Sequence, residues 1–355
     1  VSQPPRVARP TLAKVAARAG VSASTASLVF SGSGPVSEAT KERVLAAAEE
    51  LDYAGPDPRA QSLRRGRSGI VGVVLDERVL YAFRDPIKIA MLDGIADVLG
   101  TIGAGILLLP DTGDAPALDT APVDAMILVG CSPKLYDAMA VLQRRGVPVV
   151  VIEGAAQDGV PVITLDNRPA TAMIARHLQE LGHERVEVVT LPFEVGRVRG
   201  AIPADWQHSS TITTVERLEG ARDVYPGIGG VVSGASFVEE GVIAGRALLA
   251  DRAPGERPTA VIAQSDLLAA GVILAAEELG LSVPEDLSVV GFDGVRVPGL
   301  AADYDLTTMV QPAVEKGRAG GRAVIDLLEG HDAVAASFEA AFHRGNTTAA
   351  PRDAV

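Results

Sequence analysis

Four side chains near the amino end, Ala23, Ser24, Ser27 and Leu28, fall on one side of a short predicted helix, while Ala26, Val29 and Phe30 share the other. At 3.6 residues per turn the second set packs inward and the first faces out. The outward set carries no charge, which separates it from a face that is merely solvated; it offers hydroxyl groups and one apolar side chain. Constellations for covalent chemistry are missing. The sequence has no Walker loop, no G-x-S-x-G elbow and no H-E-x-x-H pair, and its five histidines, at 177, 183, 208, 331 and 343, lack metal-site spacing. The glycines of PGIGGVV (226–232) have no third glycine at the offset a dinucleotide turn needs. Cys131 is the single cysteine and, within AMILVGC, reads as a small buried hydrophobe at a strand end. Catalysis, a cofactor and a metal are all unexpected.

The elements that position the outward face are marked by punctuation. Thr11 caps a first helix in which Leu12, Val15, Ala16 and Ala19 form one stripe, and Gly20 ends it by tolerating the left-handed backbone of a helix terminus. Ser22 then caps the second helix. Ser37, with Glu38 in the first turn, opens a third whose Val44, Ala48 and Leu51 share a face. These three helices make a small head, residues 1–55. After it, YAGPDPRAQSLRRGRSG (53–69) is rich in Pro, Gly and Arg: it cannot be a strand and leaves room only for a short helix after Pro58, so 56–69 reads as a hinge.

A chain of 355 residues is too long for one core and implies two or three folding units. Its abundance of Ala, Val, Leu and Gly suits an α/β core. No run of roughly 18 apolar residues is present, and the opening VSQPPRVARP has no apolar signal core, so a cytoplasmic protein with no membrane role is expected. The net charge of −13 conceals a division: residues 1–69 hold ten Lys or Arg against six Asp or Glu, a head of +4 on a body of −17. A local basic face releases counterions where it meets phosphates, so this division is compatible with DNA binding.

From Gly69 onward, GIVGVVL, AGILLLP, DAMILVG, VPVVVIE, RVEVVTL, TAVIAQS and LSVVGFD are apolar runs of strand length, separated by helical stretches near 87–98, 170–181, 238–249 and 266–279. The alternation predicts a doubly wound α/β body, in which ligands bind beyond the carboxyl ends of the strands.

The string TLAKVAARAGVSASTASLVF, continued by VSEATKERVLAAAEELDY, closely resembles the start of LacI/GalR regulators, and RAQSLRRG resembles that family's hinge helix. The likeness extends through ITLDNRPATAMIARHLQELGHERVEVVT, RLEG, AVIAQSDLLAAGVILAAEELGLSVPEDLSVVGFDG and LTTMVQPAVEKGRAGGRAVIDLLEG. It implies a helix-turn-helix head whose helix from Ser22 enters the major groove. Ala23 and Ser24 would meet base edges, Leu28 would touch thymine methyls, and Thr11, Ser22, Thr25 and Ser27 would meet phosphates. In the hinge helix, Leu63 would wedge into the minor groove with Arg59, Arg64 and Arg65 along the phosphates. One departure is the entry YAGPDP, a residue longer than usual and without the family's asparagine.

For the body the resemblance implies two subdomains of periplasmic-binding-protein type, crossed by the chain near 165, 294 and 325. The first would comprise about 70–165 and 295–325, and the second about 166–294 and 326–348. Carried over by position, Asp293 and Arg217 would be the main polar contacts of a sugar or nucleoside effector, with Ser265 at a position where many members have asparagine. Phe237 and Trp206 are candidate stacking walls. Two stretches depart from the pattern: DTGDAPALDTAP (111–122) leaves no room for a full helix, and the long stretch ending before RLEG could form a flap carrying Trp206, Gln207 and His208 over the cleft, or a solvated loop. Reading a palindromic operator implies a homodimer. A solute-binding protein without a DNA role shares the body fold, but it would need an export signal and has no use for a basic head.

Overall fold

In the computed structural model the described residues are 10–55, 66–75, 79–110, 118, 120–130, 133–154, 157–194, 198–209, 211–250 and 252–352, with the side chains of 133–138 and 254 excepted. Two compact units divide the chain between Ser68 and Gly69.

The first unit is built from α1 (Leu12–Ala19), α2 (Ala23–Ser31) and α3 (Glu38–Glu50). Each begins at a hydroxyl cap: Thr11 Oγ1 accepts the Lys14 N–H, Ser22 Oγ that of Thr25 and Ser37 Oγ that of Thr40. Gly20 and Gly32 end α1 and α2 in the left-handed region at φ 67° and 64°. The core is Val15, Ala16, Ala19, Ala26, Val44, Ala47 and Ala48, small side chains that let short helices approach closely. Phe30 and Tyr53 close its lower edge at a centroid distance of 5.5 Å.

The second unit contains two parallel sheets. In the first, β1 (Ile70–Val74), β2 (Gly105–Leu109), β3 (Ala125–Val129), β4 (Val149–Ile152), β5 (Val162–Leu165) and β12 (Ala336–Phe338) lie in the order β12-β5-β4-β3-β1-β2. After the single turn α4 (Val79–Ala82), the helices α5 (Pro86–Gly100) and α11 (Ala313–Glu329) cover one face, and α6 (Pro133–Arg144) lies on the other. The pair α5/α11 depends on glycine: a Cβ on Gly94 would fall 2.0 Å from the Val314 carbonyl oxygen, and one on Gly317 2.1 Å from that of Met91.

In the second sheet, β6 (Val186–Thr190), β7 (Gly200–Ala201), β8 (Gly229–Val232), β9 (Ala260–Ala263) and β10 (Ser288–Val290) lie in the order β10-β9-β6-β8-β7, parallel except for β7. One face carries α7 (Asn167–Glu180) and α8 (Ile212–Val224), the other α9 (Val238–Leu249) and α10 (Asp266–Glu278). A separate pair, β11 (Thr308–Val310) with β13 (Ala341–His343), lies between the sheets in the chain's path.

The chain first crosses between subdomains from β5 into α7. The other two crossings fall later than 294 and 325. Leu300, Tyr304 and Leu306 still pack with the α9/α10 core, so the chain joins the first subdomain only at α11. It then stays there to the end of β12, which pairs with β5. The small and apolar residues of α11 bury against α5, and this holds 326–338 in the first subdomain rather than the second. Cys131 lies outside the described residues, and of the shortened segment 111–122 only 118 and 120–122 are described, with Leu118 and Ala121 buried among β2, β3 and α6.

Candidate functional site

In the head, the start of α2 is exposed at Ser22, Ala23 and Ser24. Their hydroxyls form a small set: Ser22 Oγ lies 2.7 Å from Ser24 Oγ and 2.8 Å from Thr25 Oγ1. Thr25 and Ser27 are half-buried, Thr11 is exposed, and Leu28 keeps 38% of its surface open, with its methyls leaning toward Gly34. One side of a well-packed helix therefore presents hydroxyl donors and acceptors, a methyl and a leucine to a partner. Arg59, Leu63, Arg64 and Arg65 of the expected hinge helix lie outside the described residues.

In the body, the strand ends of both sheets converge on a closed ring of six side chains. Arg217 Nη1 is 3.7 Å from Asp293 Oδ1. That carboxylate oxygen accepts from Gln311 Nε2 at 2.6 Å, and Gln311 Oε1 accepts from Lys316 Nζ. Lys316 also donates to Glu153 Oε2 at 2.8 Å. Glu153 Oε1 is 3.5 Å from Asn167 Nδ2, and Asn167 Oδ1 accepts from Arg217 Nε at 2.9 Å, closing the ring. Glu153 and Lys316 come from the first subdomain, Arg217 from α8 and Asp293 from the end of β10 in the second, and Asn167 and Gln311 from the crossings. Lys316 is fully buried and Arg217 is 3% exposed, its guanidinium lying 3.6 Å over the Phe292 ring and donating to the Gln264 carbonyl at 2.5 Å.

Both carboxylates of the ring occupy unusual backbone conformations, Glu153 at φ 56° and Asp293 at φ 128°. Main-chain hydrogen bonds hold them: Glu153 N–H donates to the Ile163 carbonyl, while Asp293 donates to Met309 and accepts from the Gln311 N–H. Burial pushes the Glu153 carboxyl up, but the Lys316 ammonium and Arg217 guanidinium outweigh it and leave Glu153 below the ordinary carboxylate range. Asp293 goes the other way. Burial, reinforced by Asp266 and Asp85, raises it well above that range despite Arg217 and Gln311. Asp266 is pushed up by burial to about 7, although Thr308 Oγ1 and the Val295 N–H donate to it at 2.6 and 2.7 Å.

Among the residues expected at the site, Arg217 and Asp293 come together. Ser265 is buried, and its hydroxyl is engaged within the fold, accepting the Leu268 N–H as the cap of α10 and the Ser236 hydroxyl at 2.9 Å. Phe237 is half-buried and meets Tyr81 of α4 edge-on at 5.4 Å, an aromatic contact between the subdomains. Trp206 requires a correction: it is 6% exposed in the hydrophobic core, with its ring under Arg222 in the last turn of α8. Strands point their carboxyl ends, and the helices after them their amino ends, toward the junction, so the last turn of α8 is remote from it. The described residues of the surrounding stretch form neither flap nor free loop. Its β7 pairs with the sheet edge, and Arg199 forms an ion pair with Glu240 in the first turn of α9.

Glu153, Asn167, Asp266, Gln311, Lys316 and Tyr81 were not anticipated. A signal existed for one of them: Lys316 interrupts the small apolar stripe Ala313, Gly317, Gly320 and Val324, where a lysine needs a buried partner. No comparable pattern marks Glu153, which simply follows VVVI.

Residues 11–55 match the model of bacterial regulatory proteins of the lacI family, and residues 175–341 a periplasmic binding protein-like domain. The HTH-type transcriptional regulator IpsA of Corynebacterium glutamicum is 30% identical, over 96% of this chain and 97% of its own. The structure of the transcriptional regulator CelR in complex with cellobiose is 29% identical with a TM-score of 0.64, covering 96% of this chain and 100% of CelR. The lac repressor dimer bound to operator and the anti-inducer ONPF, 24% identical, shares the fold at a TM-score of 0.74, with 96% and 99% covered. The helix-turn-helix head, the doubly wound body and the relatives agree: this chain belongs to the LacI family of transcriptional regulators.

Proposed function

We propose that this protein is a cytoplasmic, homodimeric repressor that binds a palindromic operator and releases or engages it in response to a sugar or nucleoside. In this reading residues 1–55 form the DNA-binding domain, 56–69 the hinge and 70–355 the effector-binding and dimerisation domain. The observation that carries it is the exposed, uncharged start of α2, held rigidly by its cap. Ser24 there offers a hydroxyl and Ala23 and Leu28 offer apolar contact to base edges, while Thr11, Ser22, Thr25 and Ser27 take phosphates. Arg59, Leu63 and Arg64 serve the hinge contact.

The effector lies between the subdomains, where Asp293 accepts its hydroxyls and Arg217 sits behind that carboxylate. Phe237 walls the cleft, and Ser265 shapes it through the Ser236 contact. The cellobiose bound by CelR supports a sugar-class ligand. Leu80, Phe83 and Ile89 stand exposed on the first subdomain and supply apolar surface for a second copy.

Fluorescence anisotropy with a library of palindromic duplexes tests the reading. A salt-dependent preference for one palindrome over random sequence is expected, and Leu28→Ala or Ser24→Ala should lose roughly 1–3 kcal/mol of that preference. A ligand that stabilises the body must then change DNA affinity, since coupling is reciprocal. Equal binding to all duplexes, with and without ligands, overturns it.

A further inference from the structure

The ring at the subdomain junction alternates three kinds of group: cations, side-chain amides and carboxylates. An ammonium or guanidinium only donates and an ionised carboxylate only accepts, so an amide set between the two can face one way only. Lys316 Nζ must meet the Gln311 carbonyl oxygen, which turns Gln311 Nε2 to Asp293 Oδ1 at 2.6 Å. Arg217 Nε likewise takes Asn167 Oδ1 at 2.9 Å and turns Asn167 Nδ2 toward Glu153 Oε1 at 3.5 Å.

We propose that Lys316 is a positioning residue for the effector site: by fixing the Gln311 amide, it makes Asp293 Oδ1 an obligate hydrogen-bond acceptor. This rests on the effector-binding reading given above and goes beyond it, since Lys316 is fully buried and reaches a ligand only through its partners. Two contacts keep the cation in place. Glu153 Oε2 accepts from it at 2.8 Å, and the neighbouring Gly317 lies so close to α5 that a Cβ there would fall 2.1 Å from the Met91 carbonyl oxygen.

Among the described residues, the charged groups acting on Asp293 are Arg217 of α8, Asp266 at the start of α10 and Asp85 at the cap of α5, with Lys316 and Glu153 one step further round the ring. Burial and the two aspartates drive the Asp293 carboxyl well above its ordinary range, so its charge depends on the donors aimed at it. With the Gln311 N–H on Oδ1, no proton can sit on that oxygen, because two donors would meet. Were the amide to turn over, its carbonyl would accept a proton carried there. Hydrogen bonds to the charged form favour that form, and a carboxylate kept as an acceptor suits a ligand hydroxyl that donates.

The test is an NMR titration of the full chain, with aspartate isotope-labelled at the side-chain carboxyl carbon and the Asp293 signal identified by its loss in Asp293→Asn. Gln311→Met should raise the Asp293 midpoint by at least ~1 pH unit. Lys316→Met/Glu153→Leu, which removes a net-neutral pair, should raise it comparably. So should Lys316→Gln/Glu153→Gln, which keeps polar side chains in the same space. Added to Gln311→Met, either pair of substitutions should shift the midpoint little further, because the relay is already gone. A midpoint left at the parent's value by any of these variants, or an equal shift from the pair with and without Gln311, overturns the inference. The titration needs no ligand, so that result leaves effector control standing. DNA affinity that ignores every ligand overturns the effector reading, whatever Asp293 does.

Discussion

The head and the subdomain junction solve opposite problems. In the head, functional side chains lie within a few residues of one another, stay exposed and depend on a cap and a turn. At the junction they arrive from six separate places in the chain, between Glu153 and Lys316, and hold one another in a buried ring. A surface that must touch DNA can be specified by local spacing. A site at the junction of two subdomains has to be assembled from both, and its members hold one another in place.

The sharpest way to break this contrast is at Lys316. Lys316→Met strands Glu153 as an uncompensated buried charge, a change that typically costs about 3–5 kcal/mol. The body's Tm should fall by roughly 10 °C, while the unfolding of the head stays unchanged. Thermal denaturation followed in the far and near ultraviolet checks this. The double variant Lys316→Met/Glu153→Leu should recover most of the loss, because replacing a buried ion pair by apolar groups is often nearly neutral. A single variant as stable as the parent would show that the ring is incidental.

That same contrast governs what could be read in the sequence. Thr11, Gly20, Ser22 and Ser37 announce the head because caps and glycine terminators act over one helical turn. The strands and helices of the body were legible for a similar reason, as apolar runs and 3.6-residue stripes. The ring was not, because nothing in VVVIE or in VQPAVEK states that Glu153 and Lys316 meet across a separation of 163 positions. Trp206 misled in another way: a lone tryptophan in a polar stretch reads as a stacking wall for a ligand, but β7 pairs with β8 at the sheet edge and the indole is buried in the core. The crossings were misplaced because 295–306 continues the packing of α10 before the chain leaves, a tertiary fact without a local signature.

A smaller effect is expected from the head. Ser22→Ala removes the hydroxyl that accepts the Thr25 N–H and tethers Ser24, so α2 should lose about 1 kcal/mol. Hydrogen exchange of the α2 amides in the full chain should accelerate several-fold, with the amides of α10 unaffected. If protection fell equally in both units, the head would not be an independent local structure.

The smallest effect separates the units by pH. All five histidines lie in the body. His183 is buried, with Nδ1 beside Thr259 Oγ1 at 2.9 Å and Nε2 beside Ser288 Oγ and the Ala349 carbonyl, so it ties α7 and β10 to the carboxyl-terminal segment. Burial lowers its pKa, with a further contribution from His177, while the Ala349 carbonyl partly opposes the shift. A histidine held neutral in the fold favours folding above its unfolded pKa of about 6.5, and that contribution is lost as pH falls through this value toward the folded one. The stability advantage of the parent over His183→Gln should therefore shrink between about pH 7 and 5. Urea denaturation at a series of pH values measures it. The head has no histidine to titrate, so its own stability should be flat across the same interval; a head that follows the body would mean that the two units unfold together.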